Sequence, residues 1–260
     1  MIKTTLFVSL LFFSTTSQAQ EYYVLNVKGH VKILKNEKEL KTNDIIKAND
    51  KLIFSSEHDA VAVVNSKSGR HIIKPTPTSG STELAALVKD ILIPANNRLS
   101  TRNGGFNTPL DFQIYFADTV LLLDEMKHKV NNEYFPLSND TFFFIRYNYQ
   151  GEEINKKLFS PSDSLIINRA ALFSIDGKPI DVEDTSDLKL FYLNGQNILF
   201  ICALKISTPD LKALRTETNL LRKVLSTKLS ERAAKEEILT YLQFQYGKID
   251  LLNVEAWLKK

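Results

Sequence analysis

The hydrophobic pattern of the chain changes period near Pro209, and no other feature restricts its fold as much. Up to Ser207, apart from one short helical stretch near residues 82–91, the apolar residues fall largely in strand-length runs separated by polar turns. From Asp210 they recur at helical spacing. Leu211, Leu214, Leu221, Val224, Leu225 and Leu229 make one stripe, with Lys212, Arg215, Arg222, Lys223 and Lys228 largely off it. Pro209 suits the start of that helix. A second helix is expected over 231–246, ending at Gly247, and Asn253 is placed to cap a last turn that buries Trp257. These helices, over 209–260, read as an αα-hairpin packed on a sheet within an α+β fold. The stripe would also suit a coiled-coil partner, but sustained pairing normally runs over about three to four heptads and this stripe is shorter.

Residues 1–19 read as a secretory signal peptide. Lys3 gives a positive start, Leu6 to Phe13 a short apolar stretch, and Ser17-Gln18-Ala19 the small residues that precede cleavage at Gln20. The stretch falls well short of the roughly 20 residues that span a bilayer, so an uncleaved anchor is the weaker reading. No cysteine lies near the cleavage point to be lipid-modified. The whole chain holds one cysteine, Cys202, so no internal disulfide can close and stability must come from packing. At 260 residues there is length for one large or two modest domains. No later segment has the length and freedom from charge of a membrane span; Ile198 to Ala203, the longest apolar patch, is strand-sized. A net charge of +3, with acids and bases interleaved, lacks the footprint of a nucleic-acid binder. The expectation is an exported, water-soluble protein of the periplasm or the outer surface.

A small β domain is expected over 20–74. Tyr22 to Val27, Val31 to Leu34, Ile45-Ile46, Leu52 to Phe54 and Ala60 to Val64 are apolar or β-branched runs between turns such as Lys35-Asn36-Glu37. Their spacing suits a small barrel or sandwich. Lys28, Lys32, Lys35, Lys38, Lys41, Lys47 and Lys51 fit the solvated faces and guarded edges of such sheets better than a basic ligand stripe. Gly29-His30-Val31, Leu40, Asn43-Asp44, Asp50, Leu52, Ser55-Ser56 and Ala60-Val61-Ala62-Val63 follow in an order that resembles the extracytoplasmic β domain of FecR-like proteins, over roughly residues 24 to 73. The resemblance implies a Gly-x-Val strand, a Gly-Asp turn and a closing alanine/valine strand. Asn43 stands where that family usually has glycine, and asparagine tolerates the left-handed geometry such a turn needs. The overall layout is also similar to exported proteins of Bacteroidetes-type bacteria, which implies a location and no activity. No FecR-like membrane helix follows the domain, so a role in transmembrane signalling does not carry over.

Residues 75–108 read as a linker, a short helix and a loop. Pro75 to Ser81 is rich in proline, glycine and serine, Thr82-Glu83 opens a helix through Leu84, Leu87, Val88 and Ile91, and a polar loop runs over 94–107. Arg98 and Arg102 in that loop, with Gly104 and Gly105, are candidate contact residues, as are Lys212, Arg215, Arg222 and Lys223 on the later helix; a plain connector is the competing reading of the loop. A β-rich domain over 109–208 follows. Thr141 to Tyr149 is dense in aromatics on both alternating faces, as in a central strand, and Gln150-Gly151 turns it back. Leu165 to Ile167, Ala170 to Phe173 and Leu188 to Leu193 read as further strands. Asn194-Gly195, joining Leu188–Leu193 to Ile198–Ile206, is the strongest hairpin signal in the chain, with both turn residues expected at positive φ.

The sequence contains no recognisable catalytic set. His30, His58, His71 and His128 are scattered without metal-ligand spacing, and no cofactor is expected. Ser160 to Ser164 lacks the glycines of a nucleophile elbow and reads as a turn. Asp118, Asp124 and Glu125 invite a glycosidase reading, but nearby carboxylates are common on surfaces. Cys202, in an apolar run, reads as a buried hydrophobe. The preferred expectation is a non-catalytic envelope protein that presents contact surfaces to an envelope protein partner. The alternative is an exported hydrolase or glycan-binding protein, with Tyr115, Tyr134 or Tyr147 stacking on sugars.

Overall fold

The computed structural model describes residues 20–75, 81–83 and 105–260, and the chain divides into two compact units, Met1–Ile91 and Leu92–Lys260. In the first, the described strands are β1 (Glu21–Lys28), β2 (Val31–Ile33), β3 (Lys38–Glu39), β4 (Ile45–Lys47), β5 (Lys51–Phe54), β6 (Ala60–Asn65), β7 (Gly69–Ile73) and β8 (Ser81–Glu83). They pair antiparallel in two four-stranded sheets, β4-β1-β6-β7 and β3-β2-β5-β8. Alternation supplies the shared core: Tyr22 and Val24, Ile46, Val61 and Val63 from one sheet meet Val31, Leu52 and Phe54 from the other. Of the barrel-or-sandwich pair of expectations, the two separate sheets are the sandwich, and no closed barrel forms among the described residues. Thr82 and Glu83 do not open a helix. They lie in β8, opposite Leu52 and Lys51, where backbone pairing with a sheet edge prevails over a weak capping signal. The rest of that expected helix, from Leu84 to Ile91, lies outside the described residues, as does the loop up to Gly104.

Three turns of this unit share one device. The carboxylates of Asp44, Asp50 and Asp59 accept from the backbone N–H three residues earlier, of Lys41, Lys47 and Ser56, at 2.8–2.9 Å. Each Asp N–H in turn donates to the carbonyl of that same residue. Such reciprocal closure fixes a tight turn without glycine. Asn43 takes φ 74°, the left-handed geometry expected of it.

The second unit contains α1 (Pro109–Phe116), β9 (Val120–Leu121), β10 (Glu125–Lys129), β11 (Thr141–Tyr149), β12 (Glu152–Lys157), β13 (Ser164–Asn168), α2 (Arg169–Leu172), β14 (Ser174–Ile175), β15 (Lys178–Pro179), β16 (Thr185–Asn194), β17 (Asn197–Ala203), β18 (Ile206–Ser207), α3 (Leu211–Leu225), α4 (Glu231–Tyr246) and α5 (Leu251–Lys259). Its main sheet is antiparallel, in the order β12-β11-β16-β17. β11 is an inner strand, as its double-faced apolar pattern implies. Phe143, Ile145 and Tyr147 point into a core shared with Phe112 and Phe116 of α1, Leu190 and Tyr192 of β16 and Ile201 of β17. Two-stranded pairs, β10-β13, β14-β15 and the parallel β9-β18, flank it.

Local signals in this unit are mostly obeyed. Gln150 (φ 50°) and Gly151 (φ 85°) turn β11 into β12. At the other hairpin Asn194 pairs with Asn197, so the turn is Gly195-Gln196 and only Gly195 (φ 62°) is left-handed. The turn is one residue later than expected, in the class that needs glycine at its first central position. Ala170 to Phe173 is not a strand: Asn168 accepts from the Ala171 N–H and caps the short helix α2. α3 and α4 pack together, and the α3 stripe, Leu214, Leu221, Val224 and Leu225, is buried inside the unit, leaving no seam for a coiled-coil partner. α4 ends at Gly247 (φ 101°), where a Cβ would come within 2.4 Å of the Thr119 carbonyl oxygen. Asp250, not Asn253, caps α5, accepting from the Asn253 N–H, while Trp257 is buried as expected. No helix among the described residues is long and apolar enough to cross a membrane.

Candidate functional site

Of the residues read as a contact surface, Arg98 and Arg102 lie outside the described residues. Lys212, Arg222 and Lys223 are exposed on α3. Arg215 is not free to meet a partner. It donates to the Trp257 carbonyl at 2.9 Å and lies 3.6 Å above the Trp257 ring, tying α3 to α5. Lys212 lines an open cleft of about 590 Å³ together with Asp181, Glu183 and Asp210, so acids offset its charge. The four do not make one basic patch.

The outer face of the main sheet is the more distinctive surface. Residues of β11, β16 and β17 that alternate away from the core carry phenylalanines across three strands: Phe144, itself buried, stands opposite the half-buried Phe191, and Phe191 opposite the exposed Phe200. The first pair is stacked at 5.2 Å with planes 13° apart, and the second meets edge-on at 5.6 Å. Phe142 and Ile198 extend the row. Cations roof part of it. The Arg146 guanidinium lies 5.0 Å from the Phe191 ring centre, held by Asn155 and Glu153, and Lys157 Nζ lies 4.0 Å from that of Phe142. Beyond Phe142 the row opens into a cleft of about 720 Å³ with the exposed Phe159.

The two edges of this sheet differ in kind. β12 reads Glu-Glu-Ile-Asn-Lys-Lys, a charged edge that resists pairing with another strand. β17 reads Asn-Ile-Leu-Phe-Ile-Cys-Ala, with no charge. Ile198, Leu199 and Phe200 are 55%, 46% and 50% exposed. In a two-residue hairpin the closing pair, Asn194 and Asn197, exchanges both backbone hydrogen bonds; Leu199 therefore turns its peptide groups toward β16, and Ile198 and Phe200 turn theirs outward. Past a bulge the edge is covered, because Gln113 of α1 donates to the Ile201 carbonyl at 3.0 Å. Leu110 and Ile114, four residues apart and so on one face of the same helix, are also exposed. Nothing in the sequence distinguished this run from a buried strand, which would be equally apolar and uncharged.

The buried polar groups are closed to solvent. His128 sits between the rings of Phe106 and Tyr115, with Nδ1 3.9 Å from Asp250. Burial pushes it down to about 4, against the opposing pull of Asp250. Its Nε2, the Tyr115 hydroxyl and Asn253 Nδ2 make no hydrogen bond among the described residues. Glu217 of α3 accepts from the hydroxyls of Tyr241 and Tyr246, each at 2.7 Å, and burial beside that carboxylate raises both phenols. Cys202 is buried and its thiol is pushed up to about 12 by burial alone, so it is not a nucleophile at neutral pH.

The alternative sites fare less well. Tyr115 and Tyr147 are core residues, 9% and 1% exposed, and cannot stack on a sugar; of the three only Tyr134 is exposed. Asp124 is engaged by Lys260 at 2.9 Å. Ser160 to Ser164 forms a tight turn, with Ser162 at φ 56° and the Ser164 N–H donating to the Pro161 carbonyl. Among the described residues no three His, Cys, Asp or Glu side chains converge as metal ligands. Comparison with protein-family models, curated proteins and solved structures gives no match to this chain.

Proposed function

We propose that the protein is a non-catalytic interaction module of the cell envelope, exported by its leader, and that it meets its partner through the outer face and free edge of the main sheet. The observation that carries this reading is the exposure of three consecutive large apolar residues, Ile198 to Phe200, on an uncharged edge strand beside a phenylalanine row. Monomeric proteins seldom leave such an edge open, and contiguous exposed apolar patches mark contact sites. The leader and the FecR-like order of residues 24–73 support the envelope as the location.

The test is affinity capture from envelope fractions with wild-type chain and with Phe191→Ser/Phe200→Ser. Both side chains lie on the outer face, so the variant keeps its core. An envelope polypeptide captured by wild type and lost with the variant supports the reading; equal capture by both contradicts it.

A further inference from the structure

We infer that the occupant of the β17 edge is a second copy of this chain, added antiparallel across a two-fold axis at Leu199, so that two four-stranded sheets join into one. The inference rests on reading this edge as the contact surface and specifies what covers it.

Self-complementarity carries the argument. The outward peptide groups belong to Ile198 and Phe200. With Leu199 on the axis, Ile198 of one copy stands opposite Phe200 of the other, and both are residues whose N–H and C=O face the new partner. Two such pairs exchange about four backbone hydrogen bonds. No other register centred within the open stretch matches outward groups so fully, because the Ile201 carbonyl is already taken by Gln113. The side chains agree with the backbone. On the outer face each Phe200 meets an Ile198, an aromatic against a β-branched residue, which is a favoured cross-strand pair. On the inner side Leu199 meets its own copy, with Leu110 and Ile114 exposed on the helix that lies against this strand.

Charge narrows the choice of occupant. Pairing a strand with its own antiparallel copy sets like charges near one another wherever the strand carries them, and β17 carries none. Edges that select a foreign strand often carry repulsive polar or charged features that reject other partners, and Ile198 to Phe200 carries none. Leu110, Ile114, Ile198, Leu199 and Phe200 together expose on the order of 500 Å² per copy, so their complete burial in two copies gives roughly 1,000 Å², the lower limit of a specific interface and in keeping with a dimer of micromolar affinity.

Sedimentation of the full chain and a disulfide test decide the matter. Wild type at micromolar to tens-of-micromolar concentration should sediment as a dimer, and Ile198→Pro should raise the dissociation constant at least about tenfold. Its missing N–H faces outward, a position where an edge strand tolerates proline. Leu199→Lys, which sets two ammonium groups together on the axis, should give the mass of a single chain. In a Cys202→Ser background, Leu199→Cys should form an intermolecular disulfide, since opposed residues of a non-hydrogen-bonded pair lie about 4.5 Å apart at Cα. Asn197→Cys should not, because its two copies would lie about 13 Å apart along the strand. A wild-type monomer at all these concentrations overturns the inference, as does a dimer indifferent to Ile198→Pro and Leu199→Lys, or cross-linking at 197 and not at 199. A monomer that still captures a different envelope polypeptide through Phe191 and Phe200 would overturn this inference and leave the proposed function standing.

Discussion

At the scale of single residues, Gly29 shows why a position can demand glycine. It lies at φ 78°, and a Cβ there would meet Asp59 Oδ1 at 2.0 Å. That carboxylate cannot easily retreat, because Oδ2 accepts from the Ser55 and Ser56 N–H groups at 2.9 Å. Gly29→Ala should therefore lower the stability of the N-terminal unit by about 2 kcal/mol or more, from left-handed strain plus the clash. Asp59→Ala should cost about 1–2 kcal/mol by unpairing the turn. Together they should cost less than their sum, since removing the carboxylate makes room for the methyl group. Urea denaturation of the four chains checks this, and strict additivity would count against the contact.

His128 gives a pH prediction. Its value in the fold, about 4, lies below the 6.5 of an exposed histidine, so the unfolded chain binds the proton first as pH falls. The contribution of the neutral buried ring is whole above pH 6.5 and is lost as pH falls from 6.5 to 4, by up to about 3 kcal/mol. The single tryptophan, Trp257, reports on the unit concerned. Followed by its fluorescence, the urea midpoint should drop across that window in wild type and much less in His128→Gln. Equal slopes would show that the ring is not the titrating group.

At the scale of elements, what the sequence made legible was local. The second helix of the C-terminal pair runs from Glu231 to Tyr246, because Ser230 caps one end and Gly247 stops the other within a few residues of chain. The Gln150-Gly151 turn was equally plain. Features settled by distant partners were not. Thr82 and Glu83 carry a helix-start signal, yet β5 claims them as a strand. Arg215 lies off the apolar stripe of its helix, yet the Trp257 ring, brought to it by α5, makes it structural. The Asn194-Gly195 dipeptide located a hairpin but not its register, which depends on how β16 and β17 match along their length. Here a simple pair of substitutions discriminates. Gly195→Ala should destabilise by about 1 kcal/mol, since its φ is 62°, while Asn194→Ala, at an ordinary strand position, should cost well under that. Thermal unfolding measures both, and the reverse order would move the turn back to Asn194.

At the scale of the molecule, the α+β class followed from the change of period near Pro209, but the candidate site did not follow from any motif. Ile198 to Ala203 reads in sequence as a buried strand. Only the sheet order, β12-β11-β16-β17, puts that run at an edge and exposes Ile198 to Phe200. The basic candidates on α3 are divided among internal packing, acidic neighbours and plain solvation, whereas Ile198 to Phe200 on the uncharged edge are left exposed. The central claim is thus that this protein acts by contact and that the contact is at β17. A photo-reactive phenylalanine analogue placed at position 200, and in a separate strain at position 223 on α3, tests it in living cells. The account predicts discrete cross-linked species from position 200 and little or none from 223; strong adducts from 223 with none from 200 would contradict it.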